Sequence, residues 1–258
     1  MLEIRNFSAG YEGKPVLQDI SLSIPRGAVT VIVGPNGCGK STLLKALAGI
    51  LSATGSAALD GRELGDLDRR ELAKVVAFLP QNRPTPEITV QNLVLHGRFP
   101  YLSYPRRYRK ADYQAAEAAL ERMGVGNLSH RMVPTLSGGQ RQKVYIAMAM
   151  AQDTPVVLMD EPNTFLDIAH QLQLMEQARR LAREGKTVVL VLHDLALALE
   201  YADSLAVLHQ GNCIFQGSPE NVYQSGSLED AFGVRLQRIQ TPEGYKYYFS
   251  ANFDKKYE

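Results

Sequence analysis

Residues 34–42 combine glycines, a lysine and two hydroxyl side chains in the spacing Gly-x-x-x-x-Gly-Lys-Ser. A β-branched run (29–33) precedes this stretch and a helix-favouring run (43–48) follows it, which predicts a loop whose backbone N–H groups converge on phosphate oxygens. Lys40 would reach the β- and γ-phosphates, and the Ser41 hydroxyl would bind Mg²⁺. The predicted phosphate contacts are Gly34, Pro35, Asn36, Gly37, Cys38, Gly39, Lys40, Ser41 and Thr42. The chain is therefore predicted to bind a nucleoside triphosphate, the alternative being an ordinary glycine-rich turn between a strand and a helix.

Further candidates follow buried apolar runs. The run that begins at residue 155 ends in Asp160 and Glu161. Asp160 would hold Mg²⁺ through water, and Glu161 would lie near the attacking water. Gln81 and His193 each follow an apolar run of their own, and the carboxyl ends of parallel strands are where open α/β sheets bind ligands. The alternative for each of these residues is a solvated polar group at a strand end.

A second phosphate-binding helix start is predicted at Ser137, Gly138 and Gly139, just before a helix over residues 141–151. One nucleotide does not need two such cradles in a single chain. The second cradle is therefore predicted to meet the nucleotide of a second subunit. The alternative is a loop followed by an ordinary helix N-terminus.

The elements that must position these residues follow from apolar periodicity and turn residues. Strands are predicted over residues 2–9, 16–17, 20–24, 29–33, 57–59, 75–79, 155–160 and 187–192, with a hairpin over 205–208 and 213–215 and a short strand over 245–249. Helices are predicted from the phosphate loop to about residue 51, over 112–123, 141–151, 168–183 and 195–201, and from residue 221. Residues 83–155 lack strong strand signals, which predicts a helical lobe inserted into an α/β fold.

Composition narrows the functional class. With 45% hydrophobic and 21% charged residues, the chain is typical of globular proteins. Its formal net charge of +1 argues against a strongly basic nucleic-acid binder, so no nucleic-acid partner is expected. No apolar stretch approaches the ~18 residues of a membrane span. The N-terminal residues lack a secretory signal and the two cysteines make no disulfide framework, so a cytoplasmic location is expected.

Taken together, these residues give a sequence that resembles the ATP-binding subunit of ABC transporters over essentially its full length. Tyr11 matches the aromatic residue that stacks on adenine, residues 34–41 match the Walker A loop, and Gln81 matches the Q-loop glutamine. The resemblance implies ATP and Mg²⁺ as cofactors. It implies a catalytic set of Glu161, His193, Lys40 and Gln81, and metal ligands Ser41, Gln81 and Asp160.

The remaining family motifs also occur in order. Residues 136–140, Leu-Ser-Gly-Gly-Gln, are the unaltered family signature. Asp160 matches Walker B, Glu161 the catalytic glutamate, His193 the switch histidine and Asp167 the D-loop aspartate. The implied contacts to the second nucleotide are Ser137, Gly138, Gly139, Gln140 and Asp167.

The resemblance implies a single ABC ATPase domain over residues 1–258. Its fold would be a P-loop NTPase core, with a mixed sheet, helices and an antiparallel β subdomain, plus an inserted α-helical subdomain. We expect the core at about 1–82 and 156–240, the helical subdomain at about 83–155, and a short C-terminal tail at 241–258.

The resemblance also implies partners. Two copies would bind head to tail, each ATP lying between the phosphate loop of one copy and the signature of the other. Residues of about 82–104 would contact an integral membrane permease dimer, with an extracytoplasmic substrate-binding protein as an indirect partner. The subunit would then lie at the cytoplasmic face of the cell membrane.

Three stretches resemble the importer subfamily for ferric siderophores, haem and vitamin B12. Residues 163–166, Asn-Thr-Phe-Leu, depart from the commoner Thr-Ser-Ala-Leu of the D-loop. Residues 167–171 and 97–101 supply the other two matches. Iron–siderophore import is the preferred reading, and the cargo itself is not identified because it never touches this subunit.

Two other classes remain as alternatives. The first is an ABC ATPase without a transport role, in cluster assembly or on DNA. Lys40 and Ser137 are only 97 positions apart, which leaves no room for the coiled coil of the chromosome-organising type. The second is a P-loop GTPase or kinase, which is disfavoured because no Asn-Lys-x-Asp guanine reader occurs and the signature would have no role.

Overall fold

Strands and helices alternate along most of the chain, of which the computed structural model describes residues 1–242 and 244–251. In the tail expected at 241–258, residue 243 and residues 252–258 lie outside the described residues. The strands are β1 (Leu2–Tyr11), β2 (Lys14–Ile24), β3 (Val29–Val33), β4 (Ala53–Leu59), β5 (Arg62–Glu63), β6 (Val76–Leu79), β7 (Val156–Asp160), β8 (Thr187–Val191), β9 (Ser204–His209), β10 (Asn212–Gly217), β11 (Val234–Thr241) and β12 (Gly244–Ala251). The helices are α1 (Lys40–Leu47), α2 (Arg69–Val75), α3 (Val90–Leu95), α4 (Lys110–Arg122), α5 (Gly138–Ala151), α6 (Ile168–Arg183), α7 (Leu195–Tyr201), α8 (Pro219–Ser225) and α9 (Ser227–Phe232).

A mixed sheet carries the chemistry-bearing segments. Within the described residues, six strands follow the order β10-β9-β3-β8-β7-β6, parallel from β9 to β6 and antiparallel between β9 and β10. Every residue of β3, β7 and β8 is buried, as aliphatic parallel strands covered on both faces require. Because parallel strands end at one edge, the residues that follow β3, β6, β7 and β8 meet there.

A second, antiparallel sheet fixes the phosphate loop from another side. Its described strands follow the order β2-β1-β4-β5. Side chains of β1 and β2 pack against Leu43 and Leu44 of α1, both completely buried, and against Ile32 of β3. Since β1 ends at Tyr11, this packing holds that ring near the start of α1.

The chain between β6 and β7 folds into helices. α3, α4 and α5 pack on one another through buried residues such as Val94, Ala116 and Val144. An isolated antiparallel β-bridge joins Thr89 and Met132. The α/β class with a mixed sheet and helices is confirmed. The boundaries at 82/83 and 155/156 stay predictions.

The C-terminal region differs from the sequence prediction. Instead of one helix from residue 221, α8 begins at the Ser218 cap and Pro219, and Gly226 separates it from α9 in a left-handed conformation (φ +70°). The short strand predicted at 245–249 is longer and pairs antiparallel with β11. The prediction missed β11 because four of its eight residues are arginine or glutamine, and half-buried Arg238 followed by exposed Ile239 breaks the alternation of apolar and polar residues.

Smaller differences have local causes. Helix α2 was not predicted; Asp68 caps it by accepting hydrogen bonds from the backbone N–H groups of Arg70 and Glu71, both at 2.8 Å. The pieces predicted at 16–17 and 20–24 form the continuous strand β2, and β4 starts four residues earlier than the 57–59 prediction. In the described part of the chain, no helix has the length and apolar character to cross a membrane.

Candidate active site

The phosphate loop curls between β3 and α1 because two of its glycines leave no space for a side chain. A Cβ atom at Gly34 would lie 2.2 Å from the carbonyl oxygen of Leu208. Gly39, the residue before α1, has φ +107° and would place a Cβ atom 2.4 Å from Leu17. No side chain caps the first N–H groups of α1. These donors therefore remain free for an anion.

Lys40 occupies the centre of this loop. Its side chain is buried, and Nζ donates to the carbonyl oxygens of Gly34 (2.7 Å) and Pro35 (3.0 Å). The ammonium group is thus held among backbone groups rather than paired with a carboxylate. A phosphate oxygen at this position would meet both the lysine charge and the N-terminal dipole of α1.

Asp160 ends β7 with the character of a cation ligand. It is 1% exposed, and its Oδ1 has no hydrogen-bond partner among the described residues. Burial raises its pKa, and a hydrogen bond from the Ser41 hydroxyl opposes that rise. An orphaned buried carboxylate oxygen beside a hydroxyl suits Mg²⁺, which takes oxygen ligands and completes its shell with water and phosphate. The residues present therefore fit this ion.

Glu161 lies between Gln81 and His193. Glu161 Oε2 accepts from Gln81 Nε2, and Oε1 lies against His193 Nε2, each at 2.5 Å. Glu161 is 8% exposed and has φ +48°, a costly backbone conformation of the kind found at functional sites. The ends of three adjacent strands, β6, β7 and β8, thus bring these side chains together. The amide of Gln81 is directed to Glu161, and its predicted role as a metal ligand stays a prediction.

Lys40, Glu161 and its two partners share one cavity of about 500 Å³, whose lining includes Ser41 but not the buried Asp160. Tyr11, at the end of β1, forms part of its wall with a ring that is 44% exposed and lies 5.8 Å from Lys45 Nζ. The cavity is lined by Tyr11, Val16, Asn36, Gly37, Gly39, Lys40, Ser41, Thr42, Gln81, Glu161 and His193. Val16 is the residue that sequence reasoning missed, since nothing distinguishes it from the other aliphatic residues of its strand.

The remaining predicted loop residues lie behind the cavity lining. Cys38 is buried with Sγ 4.0 Å from Lys40 Nζ, and burial raises the pKa of its thiol despite the lysine charge. Gly34 and Pro35 contribute the two carbonyl groups that hold Lys40.

The signature residues lie outside this cavity. Ser137 Oγ accepts from the backbone N–H of Gln140 (3.3 Å), and Gln140 Oε1 accepts from the backbone N–H of Ser137 (3.1 Å). Gly138 and Gly139 form the first turn of α5 next to Phe165. Asp167 caps α6 by accepting from the backbone N–H of His170 at 2.9 Å. One chain therefore brings Lys40, Gln81, Glu161 and His193 to one cavity. The residues that lie apart from this cavity are Ser137, Gly138, Gly139, Gln140 and Asp167.

Comparison with known proteins decides the family. The family model described as ABC transporter matches residues 17–164, more than half of the chain. The chain belongs to the ABC transporter family. It is an ABC-type ATPase that binds ATP, and the resemblance drawn from its motifs is confirmed.

Related ABC transporter subunits match almost the whole chain. The ferric enterobactin transport ATP-binding protein FepC of Escherichia coli (strain K12) is 42% identical over 90% of this chain and 87% of its own length. The achromobactin transport ATP-binding protein CbrD of Dickeya dadantii (strain 3937) is 40% identical over 92% and 90%. Among solved structures, an ABC transporter assigned to the metal-chelate type, in an inward-facing conformation, superposes with a TM-score of 0.82 at 28% identity, covering 98% of this chain and 97% of that one.

Proposed function

We propose that this ABC ATPase powers an importer for an iron–siderophore complex or a related metal chelate. Two relatives at 40–42% identity are named for siderophore transport, and the structural neighbour is assigned to the metal-chelate type. The subfamily-like stretches at 97–101 and 163–171 agree with this assignment. The observation that carries the proposal is the shared cavity, which joins a phosphate loop to Gln81, Glu161 and His193.

ATP occupies this cavity in the proposed mechanism. Its phosphates lie along residues 34–42, where Lys40 and the uncapped N–H groups of α1 neutralise them. The exposed ring of Tyr11 stacks on the adenine. Ser41 and Asp160 hold Mg²⁺, which neutralises charge on the phosphoryl group when bound.

Glu161 orients or deprotonates the attacking water, because it follows β7 and its carboxylate shares a cavity with the loop that holds the phosphates. The bonds to Gln81 and His193 fix the carboxylate before the water arrives. His193, about half exposed, then turns to the γ-phosphate. Lys40 stabilises the charge that spreads over the phosphoryl oxygens in the transition state.

A second copy completes each site. The start of α5 is a helix N-terminus with two glycines and a serine, a suitable anion cradle that lies away from the cavity of its own chain. Ser137, Gly138, Gly139 and Gln140 therefore contact the γ-phosphate held by the other copy, with Asp167 nearby. ATP closes the homodimer, and hydrolysis releases it.

The membrane partner is a permease dimer contacted by residues of about 82–104. In this segment Tyr104 is 96% exposed and Phe99 47% exposed, as expected for residues that a partner covers. This contact places the subunit at the cytoplasmic face of the cell membrane, and the extracytoplasmic binding protein reaches it only through the permease.

Replacement of the catalytic carboxylate tests the proposal. In Glu161→Gln, ATP binds but water is no longer activated, so hydrolysis should nearly vanish and a dimer should accumulate with ATP and Mg²⁺. Size-exclusion chromatography with light scattering measures the dimer, and phosphate release measures hydrolysis. ADP serves as the control and should give monomer. A strictly monomeric variant at saturating ATP, or one with normal turnover, contradicts the proposal.

A further inference from the structure

One face of the signature helix α5 binds the segment that follows Glu161. Gln142 is 3% exposed, and its Nε2 donates to the carbonyl oxygen of Pro162, the residue next to Glu161. Because this buried donor is hydrogen-bonded to a backbone acceptor, it fixes the distance between α5 and the segment after Glu161. Removing that donor would leave the Pro162 carbonyl without this partner.

The same face binds the segment that follows Gln81. Tyr145 lies three residues after Gln142, so the two side chains are neighbours on the helix surface. It is 5% exposed, and its hydroxyl donates to the carbonyl oxygen of Pro84. The Arg83 guanidinium lies over the Tyr145 ring, 5.0 Å from the centroid. α5 therefore holds the Q-loop by a hydrogen bond and by a cation–π contact.

Beyond the Tyr145 ring, Arg83 makes few polar contacts among the described residues. Its Nη1 is buried and has no hydrogen-bond partner among the described residues, and burial lowers the pKa of the guanidinium to about 10. Its Nη2 lies 3.4 Å from the carbonyl oxygen of Gln81, a long hydrogen bond. The Tyr145 ring and the negative charge of Asp160 both favour this cation, and displacement of the ring would disturb the backbone beside Gln81.

These contacts form a closed ring. Gln142 connects α5 to Pro162 and Glu161, Glu161 is hydrogen-bonded to Gln81, and the segment after Gln81 returns to α5 at Tyr145. The ring joins the two residues closest to the chemistry to a single rigid helix. The N-cap of that helix is Ser137, five residues, or about 7.5 Å, from Gln142.

We propose that Gln142 and Tyr145 are positioning residues through which α5 sets the placement of the Glu161–Gln81 pair in its own chain. A movement of Ser137, when it engages the nucleotide of the second copy, is transmitted along α5 to Glu161. Nucleotide in one pocket thereby promotes hydrolysis in the other. This inference rests on the proposed function, because it assumes that Ser137 binds the second copy's nucleotide.

The chain offers a matched control for a purely structural role. Gln152, at the C-terminal end of the same helix, donates from Nε2 to the carbonyl oxygens of Ala73 (2.6 Å) and Val76 (3.1 Å). It is also a glutamine that holds α5 to backbone carbonyls, but these hydrogen bonds go to Ala73 and Val76 rather than to the segments after Gln81 or Glu161. Gln142→Leu and Gln152→Leu therefore remove the same kind of bond at similar side-chain volume.

The experiment uses the full chain and compares both variants with the wild type in ATP hydrolysis across ATP concentration, in binding of a fluorescent ATP analogue, and in thermal melting. For Gln142→Leu we expect kcat to fall about 10- to 100-fold, as for a misplaced catalytic group, with nucleotide affinity within about twofold. The proposed coupling predicts a sigmoidal ATP dependence for the wild type, which should become hyperbolic in Gln142→Leu. For Gln152→Leu, kcat and the sigmoidal shape should persist even if the melting temperature falls.

A milder pair of variants tests the second contact. Tyr145→Phe keeps the ring under Arg83 and loses only the hydroxyl, whereas Tyr145→Ala loses both. We expect a graded fall in kcat, larger for Tyr145→Ala, again with nearly unchanged affinity. Equal losses of kcat in Gln142→Leu and Gln152→Leu, following their melting temperatures, overturn the inference.

The dimer assay on Glu161→Gln distinguishes a failure of the inference about α5 from a failure of the proposed function. If that variant dimerises with ATP while Gln142→Leu keeps the kcat and sigmoidal response of the wild type, only the inference about α5 fails. If Glu161→Gln never dimerises, the proposed function fails and the coupling between pockets fails with it.

Discussion

The chain contains two glycine-rich helix starts of similar composition, at α1 and α5, that differ in how their backbone N–H groups are capped. At α1 the preceding residue is Gly39, no side chain caps the helix, and the first residue, Lys40, is buried in the cavity. At α5, Ser137 and Gln140 bond to each other's backbone N–H groups, outside that cavity. The first start presents unused donors with a fixed charge. At the second start, the side chains of Ser137 and Gln140 occupy backbone N–H donors until a ligand replaces those side chains.

This difference indicates a division of labour between binding and closure. A preformed cradle with a buried cation binds phosphate without reorganisation, which favours affinity within one chain. A self-capped start must exchange its bonds for a ligand and contributes only when the ligand is brought to it. Affinity should therefore depend on α1, and turnover should depend on α5.

The largest expected effect comes from removing the cation at α1. Lys40→Ala should weaken ATP binding at least tenfold and lower hydrolysis by about 10²- to 10³-fold, since both the bound phosphates and the transition-state charge lose a charged donor. Calorimetric binding and phosphate release measure the two effects. Lys74→Ala, in α2, is the control and should lose far less, because Lys74 pairs with Glu71 and does not line the cavity. Normal affinity in Lys40→Ala would show that α1 is not the principal phosphate site.

An intermediate effect is expected at α5, with the opposite division between affinity and turnover. Ser137→Ala removes the cap and the proposed contact to the second nucleotide, so kcat should fall about tenfold while ATP affinity stays within about twofold. The lost cap also costs ~1 kcal/mol of stability. Fixed-time hydrolysis assays measure kcat, and nucleotide titration measures the ATP affinity.

Ser218→Ala is the matched control for that variant. Ser218 caps α8 by accepting from the backbone N–H of Asn221 at 3.2 Å, in the region that precedes the C-terminal hairpin. It should lose a similar stability and keep its kcat. If Ser137→Ala weakens ATP binding as strongly as Lys40→Ala, the two helix starts act on the same nucleotide within one chain.

The sequence predicts the first helix start better than it predicts what surrounds the second. Lys40, Gln81, Glu161 and His193 converge because each follows a buried strand, and apolar runs of β-branched residues are the clearest pattern in the chain. The order of those strands in the sheet had to come from the structure. The functional roles of these residues stay predictions that the experiments above address.

The contacts of Gln142, Tyr145 and Arg83 were not predicted from the sequence. They depend on the rotation of α5 about its axis and on where the backbone after Gln81 passes, and neither quantity has a local sequence signal. Strand β11 of the C-terminal hairpin was missed partly for a similar reason. Arg238 holds its position by lying over the rings of Tyr223 and Tyr245, a tertiary contact that periodicity does not reveal.

The smallest expected effect concerns the stability of the folded chain without nucleotide. Burial raises the pKa of Asp160, so its ionised form destabilises the folded state at neutral pH, and the effect disappears as pH falls through that raised pKa and the carboxyl takes up a proton. Asp160→Asn should therefore raise the melting temperature at neutral pH by a few degrees, at about 2–4 °C per kcal/mol for a chain of this size, while Mg²⁺-dependent hydrolysis is lost. Scanning calorimetry from pH 4 to pH 8 measures the difference, which should shrink toward the acid end.

Asp68→Asn is the control, because backbone N–H groups of Glu71 and Arg70 lower the pKa of Asp68, and neutralising this carboxylate should therefore give no rise in melting temperature. A lower melting temperature for Asp160→Asn throughout the range would mean that Asp160 is stabilised by its surroundings, and it would remove the physical reason for placing a cation beside Ser41.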